Sequence, residues 1–385
     1  MNSPFKSLET KVIHAGEPEP RIHGAVAMPI FQSATFQYGG ETSYHDLKYI
    51  RLNNTPNHIA LHKKLAALEN AEAALVTGSG MAAISTSLLT VLRTGDHLLI
   101  QSSLYGGTHD LVTRDFPAFG LSSDFIEAER PESWKALLKP NTKAIYVEAM
   151  TNPLLQVADL EAVVQFARTH GLISLIDSTF ASPVNFRPVE WGFDLSLHSG
   201  TKYLNGHSDI VCGVVVGPAA WVQKITRRLN HLGGTLDPHA AYLLHRGLKT
   251  LVLRVRYQNE SALRISRFLV DHPAVARVNY AGLESHPGHD RARRLFTGFG
   301  GVLSFEPRGG VEAADRFLGA VRLPIIAISL GGVDTLATRP AITTHAGLSP
   351  EERRRAGIAD GLIRLSIGIE STDDLIEDFD QALQK

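Results

Sequence analysis

Ser199-Gly200-Thr201-Lys202-Tyr203-Leu204-Asn205-Gly206-His207-Ser208-Asp209 follows directly on the apolar run ending at Leu197. It sets one lysine between a pair of hydroxyls and a turn-forming Asn-Gly, just past a segment patterned as a strand. A lysine held away from bulk water gives up its proton more readily and becomes a nucleophile. The Ser199 and Thr201 hydroxyls can bind a phosphate while that amine reaches a carbonyl. A lone lysine is ordinarily a solvated surface charge, so its reading depends on what the rest of the chain places around it.

Upstream, short apolar runs alternate with helical periods. Ala73–Thr77 reads as a buried strand that enters Gly78-Ser79-Gly80-Met81 and a helix over 82–92. Strand, glycine turn and helix start is a geometry that offers free N–H groups to a phosphate. The turn lacks the lysine of a nucleotide-binding P-loop and is by itself a weak signal. Strands at 98–100, 144–148, 172–177 and 195–197, with helices over 58–69 and 160–170, complete the pattern. Such alternation indicates an α/β fold built on a mainly parallel sheet. Ligands gather at the C-terminal ends of the strands in such sheets. Gly78–Met81, Tyr105, Asn152, Asp177 and Lys202 all fall just after an expected strand, which argues for one site.

The flanks differ in character. Residues 1–56 read as an irregular arm punctuated by Pro18, Pro20, Pro29 and Pro56, stable only if it packs on something, such as a neighbouring subunit. Tyr49 and Arg51 within it are two apart and could reach one anion. Residues 57–247 carry the sheet. Residues 248–385 read as a smaller α+β domain, with one long amphipathic helix from Leu248 to Leu269, strands at 276–280, 301–305 and 363–367, and a last helix over 372–383.

Composition sets bounds. The 385 residues suit about two domains. A net charge of −1 gives no electrostatic case for nucleic acid or an anionic membrane surface. The one cysteine, Cys212, excludes an internal disulfide and suits a reducing cytoplasm. No Cys/His cluster has metal-ligand spacing, no apolar run can span a bilayer, and the stretch from Met1 to Lys6 lacks a signal-peptide core.

Taken together, the motifs resemble the pyridoxal phosphate (PLP)-dependent transsulfuration enzymes, the family of cystathionine γ-synthase, cystathionine lyase and methionine γ-lyase. The motifs are Tyr49-x-Arg51, Ser79-Gly80-Met81, Leu104-Tyr105-Gly106-Gly107, Thr151-Asn152-Pro153, Asp177-Ser178-Thr179-Phe180, the Lys202 stretch, and Arg364-Leu365-Ser366-x-Gly368-x-Glu370. The resemblance covers nearly the whole chain and implies fold type I, with a seven-stranded large domain. It implies that Lys202 holds PLP as a Schiff base and then shuttles protons. Asp177 would pair with the pyridine nitrogen, and Tyr105 would lie over the ring. Ser79, Gly80, Met81, Ser199 and Thr201 would hold the phosphate, with Tyr49 and Arg51 reaching it from a neighbouring subunit of a dimer or homotetramer. Arg364 would clamp the substrate carboxylate beside Asn152 and Ser329.

Four departures from the family pattern bear on specificity. Ser178 stands where Asn is usual, Gly200 replaces Ala or Cys and is expected to relax the loop, and Asn54-Thr55-Pro56 inverts the usual order. Ile328 stands where many γ-synthases and cystathionine γ-lyases carry Glu, which suits a thioether or other apolar substrate. Gly107 takes the place of the cysteine usual in methionine γ-lyases. The expected activity is carbon–sulfur lysis of cystathionine, methionine or homocysteine. The alternatives are γ-replacement on an activated homoserine, a non-catalytic nucleotide-binding α/β protein and, more weakly, an aminotransferase.

Overall fold

Seven strands, β1 (Ala73–Thr77), β2 (His97–Gln101), β3 (Ser122–Ile126), β4 (Thr142–Glu148), β5 (Ile173–Asp177), β6 (Leu195–Ser199) and β7 (Gly213–Gly217), form one sheet. Their order is β1-β7-β6-β5-β4-β2-β3. Only β7 runs antiparallel to its neighbours β1 and β6; the other pairs are parallel. The computed structural model describes residues 4–385, so Met1–Ser3 of the stretch read for a signal peptide lie outside the described residues. Among the described residues no helix is long and apolar enough to cross a membrane.

Apart from the edge strand β3, the strands are buried because helices cover both faces. On one face α3 (Gly80–Val91) and the helix Ala219–Leu232 pack Ile84, Leu88, Ile225 and Leu229 on Leu75, Leu175, Leu195 and Leu197. On the other, α2 (Pro56–Leu68) and the helix Leu160–His170 cover Val76, Val214, Ile145 and Ile176. Each fully buried leucine in these layers contributes about 1.5–3 kcal/mol. Local signals fix the ends. Asp159 accepts from the Ala162 N–H to start Leu160–His170, and Gly171 at φ 64° stops it after Arg168 and His170.

Five more strands, β8 (Val275–Asn279), β9 (Val302–Pro307), β10 (Ile325–Ile326), β11 (Leu336–Thr338) and β12 (Ile363–Ser366), make a second sheet in the order β10-β11-β12-β9-β8. The helices Leu251–Asp271, Gly310–Ala320 and Thr372–Leu383 pack on it.

Several expectations change. The arm contains a helix, α1 (Leu8–His14), capped by Ser7 and anchored by buried Lys11 and Val12; at seven residues it is too short to show a period. The helix expected over 248–269 is present as Leu251–Asp271, but Leu248 ends a separate preceding helix, Pro238–Leu248, that was not read. Leu248, Leu251, Val252 and Val255 share one core, so the apolar spacing hides the break. The inverted Asn54-Thr55-Pro56 is a working helix start, with Thr55 accepting from the His58 N–H and Pro56 in the first turn.

Candidate active site

Lys202 lies in a tight turn at the end of β6, where Asn205 N–H donates to Gly200 O and Gly206 N–H to Lys202 O. Gly206 has φ 76°, and a Cβ there would fall 2.0 Å from Arg254 Nη1. Arg254 itself is 4% exposed and donates to Tyr203 O and Gly247 O, both at 2.9 Å. The Tyr203 hydroxyl accepts from the Gly301 N–H at 2.8 Å. The turn is therefore bolted to its surroundings on two sides. Its lysine amine is brought down to about 8 by burial, with Arg364 adding repulsion.

The amine donates to Ser329 Oγ at 2.7 Å. Ser329 has φ 92°, a conformation that costs a non-glycine residue about 1–3 kcal/mol and clusters at functional sites. Its carbonyl accepts from Arg364 Nη2 at 2.7 Å, and Arg364 Nη1 donates to Asn152 Oδ1 at 3.1 Å. Arg364 is 2% exposed, its Nε has no partner, and burial lowers it to about 10. It projects from β12 of the smaller sheet toward Asn152, which follows β4 of the larger one. Ile328, immediately before Ser329, is 63% exposed.

Asp177 and Glu148 end neighbouring strands in register. Asp177 Oδ1 accepts from the Thr179 N–H at 2.9 Å, and burial raises its carboxyl. Burial, then the nearby Asp177, pushes Glu148 up to about 8. Glu148 Oε1 accepts from the Tyr105 N–H at 2.7 Å. The Tyr105 ring is half exposed. Ser178 Oγ, the departure beside Asp177, is buried without a partner.

The start of α3 meets the Lys202 loop. A Cβ on Gly80 would come within 3.0 Å of Ser199 Cβ, so glycine lets the helix end approach that hydroxyl. Ser79 Oγ is taken up in capping, accepting from the Ala82 N–H, and Gly80 and Met81 stand in the first turn of the helix. Thr201 Oγ1 accepts from the Cys212 N–H at 3.0 Å. Gly200 does not leave slack as expected: a Cβ there would lie 2.5 Å from Cys212 Sγ, which fills the space. Burial drives that thiol up to about 12, leaving it inert.

Tyr49 and Arg51 keep other company within the chain. Arg51 donates to Asn230 O and to the Tyr44 hydroxyl, and its guanidinium lies 5.4 Å from the Tyr49 ring centre. The Tyr49 N–H donates to Asn54. None of these bonds is to Lys202, Ser199 or Gly80.

Residues 9–384 match the model of the Cys/Met metabolism PLP-dependent enzyme family. The chain belongs to this family. Among its members, an L-methionine γ-lyase of Fusobacterium nucleatum subsp. polymorphum is 40% identical over 98% of both chains. A cystathionine β-lyase of Bacillus subtilis is 40% identical over 98% of this chain and 97% of its own. The crystal structure of cystathionine γ-lyase from Lactobacillus plantarum complexed with L-serine superposes with a TM-score of 0.93 at 36% identity, covering 98% of this chain and 99% of that one. Family membership makes this an enzyme that uses PLP, and the nucleotide-binding alternative falls.

The residues present fit that cofactor. A cradle opened by Gly80 faces the Ser199 hydroxyl, a lysine amine is depressed toward neutrality, and a half-buried carboxyl ends β5. Glu148 and Thr179 were not among the residues expected in the site. Glu148 shares its position at a strand end with Asp177, and that was the available signal.

Proposed function

We propose that this member of the family is a carbon–sulfur lyase acting on methionine, homocysteine or cystathionine by elimination. The observation carrying the reading is that one residue, Ser329, is bonded at once to the Lys202 amine and the Arg364 guanidinium. A proton-moving amine and a carboxylate clamp set this close suit the α-carbon of an amino acid between them. PLP, when bound, supplies an aldehyde that captures amines and a ring that accepts the electron pair left at the α-carbon.

The chain's own groups divide the remaining work. Arg364, beside Asn152, fixes the substrate carboxylate and so orients the α-hydrogen toward Lys202. Lys202 Nζ removes that proton and delivers it onward. Asp177 would pair with the ring nitrogen and Tyr105 would lie over the ring. The Gly80 and Met81 amides, with the Ser199 and Thr201 hydroxyls, would hold the phosphate, and Tyr49 and Arg51 would reach the same group from a neighbouring copy. Sharing of this kind needs a dimer at least, and a homotetramer, a dimer of dimers, is the assembly proposed. The exposed Ile328 offers an apolar surface rather than a carboxylate to the distal part of the substrate, which favours a thioether over the second amino group of cystathionine. We divide the chain into the arm at 1–56, a PLP-binding domain at 57–247 and a smaller domain at 248–385. The single, buried cysteine fits a cytoplasmic setting.

The test is product analysis with methionine, homocysteine and cystathionine, alongside O-succinylhomoserine plus cysteine. Oxo acid and ammonia from a sulfur amino acid support the lyase. Cystathionine as the main product assigns γ-replacement instead. Absence of oxo acid and ammonia with all three sulfur amino acids overturns the reading.

A further inference from the structure

Glu148 is 6% exposed at the end of β4, in register with Asp177 at the end of parallel β5. In-register residues on adjacent parallel strands project to the same face with backbones about 4.8 Å apart. A buried and a half-buried carboxyl so placed resist ionising together, because each charge penalises the other in a poorly solvated site. Among the described residues no lysine or arginine forms an ion pair with Glu148. The titratable groups around it are Asp177 and, on its own strand, the buried Tyr146 phenol. The two acids differ in their partners. Burial raises both acids, but Asp177 is offset by the bonds from Thr179 and, less, by His198 on β6, whereas Glu148 receives only the Tyr105 N–H.

We propose that Glu148 is a positioning residue that stands as a neutral carboxylic acid beside ionised Asp177 and fixes the Tyr105 ring through its backbone N–H. The strand-end pair then carries one negative charge, on the acid meant for the ring nitrogen. A neutral Glu148 still presents an acceptor oxygen to Tyr105, so it tethers the ring without adding a second charge. Burial and the Asp177 charge, which lift Glu148 to about 8, agree with this division. The inference rests on the PLP site and not on which sulfur amino acid is cleaved.

Glu148→Gln is the decisive variant, since glutamine keeps the shape and acceptor of the neutral acid and cannot ionise. At neutral pH, the infrared difference spectrum between wild-type and E148Q holoenzyme should show loss of a protonated-carboxyl stretch. Loss of ionised-carboxylate bands alone would overturn the proposal. The E148Q apoenzyme should bind PLP with an equilibrium constant within about twofold of wild type and keep the circular dichroism of the bound cofactor. Glu148→Ala, which leaves the Tyr105 N–H unpaired, should weaken PLP about tenfold or more. Equal weakening in both variants would show that charge at Glu148 is required, and would also overturn it. E148Q carries the test even where E148A does not fold. Both readouts stand if no sulfur amino acid is turned over, which separates this outcome from failure of the lyase assignment.

Discussion

Gly107 leaves the space that the Tyr105 ring uses: a Cβ there would lie 2.7 Å from Tyr105 Cε1 and 3.0 Å from Met81 Sδ. Gly107→Ala should push the ring aside and weaken PLP by about two- to tenfold, the scale of one aromatic contact. Equilibrium titration of the apoenzyme reads this, while the melting temperature should scarcely move. Lys202 supplies a second prediction. Its amine must be neutral to attack an aldehyde, so PLP capture by the apoenzyme should accelerate as pH rises through about 8. Because the Arg364 charge helps hold that value down, Arg364→Gln should move the transition to higher pH in rapid-mixing experiments. The residues that announced themselves were a lysine flanked by hydroxyls and an acid at a strand end, whereas Arg364 was assigned only through the family resemblance. Glu148 also ends a strand but was passed over, since its meaning lies in the strand beside it, and pairing between strands is not written along one segment.

Most fully buried strands were legible, and the exposed ones were missed. β4, β5 and β6 are apolar runs, and each was read to within a few residues. β3 is half exposed, with Ser122, Ser123 and Asp124 in it, and β10 is two exposed isoleucines; neither shows a strand period. β7, a valine run bounded by Gly213 and Gly217, is a buried strand that was passed over. The arm likewise gained its order from a cluster that sequence does not display. Glu17 lies 2.6 Å from Arg21, 3.2 Å from His245, 3.4 Å from Lys249 and 3.5 Å from Lys64. This ties the end of α1 to α2 and to the helix Pro238–Leu248. Burial alone would raise the Glu17 carboxyl, but the nearby His245 and the surrounding cations bring it down to about 2. Its folded value is below its unfolded one, so its stabilisation is present above the ordinary carboxylate range and is lost as pH falls toward 2. Wild type should therefore lose more denaturant resistance than Glu17→Gln between about pH 5 and about pH 2. Parallel loss in both proteins would mean that the cluster contributes nothing.

At the scale of the molecule, the site is a seam. Arg364 comes from the five-stranded sheet and Asn152 from the seven-stranded one, and their bond closes the cleft between them. Within their own chain the bonds of Tyr49 and Arg51 go to Asn54, Asn230 and Tyr44 rather than to Lys202, Ser199 or Gly80, which gives the assembly a sharp test. Lys202→Ala and Arg51→Ala chains should each be nearly inactive alone. Unfolded together and refolded as hybrids, they should recover activity, because one interface then carries an intact Lys202 facing an intact Arg51. Failure of the hybrids to recover would place Arg51 in the service of its own chain. The helix Leu251–Asp271 crosses the same seam in a different way. Leu251, Val252 and Val255 belong to the core of the larger sheet, and Ala262, Ile265 and Leu269 to that of the smaller. A recombination crossover placed at residue 247 would split a lineage's co-adapted packing, since the first turns of that helix would arrive with the wrong parent. A crossover placed beyond Asp271 keeps that helix with a single parent and should be tolerated better than one at residue 247.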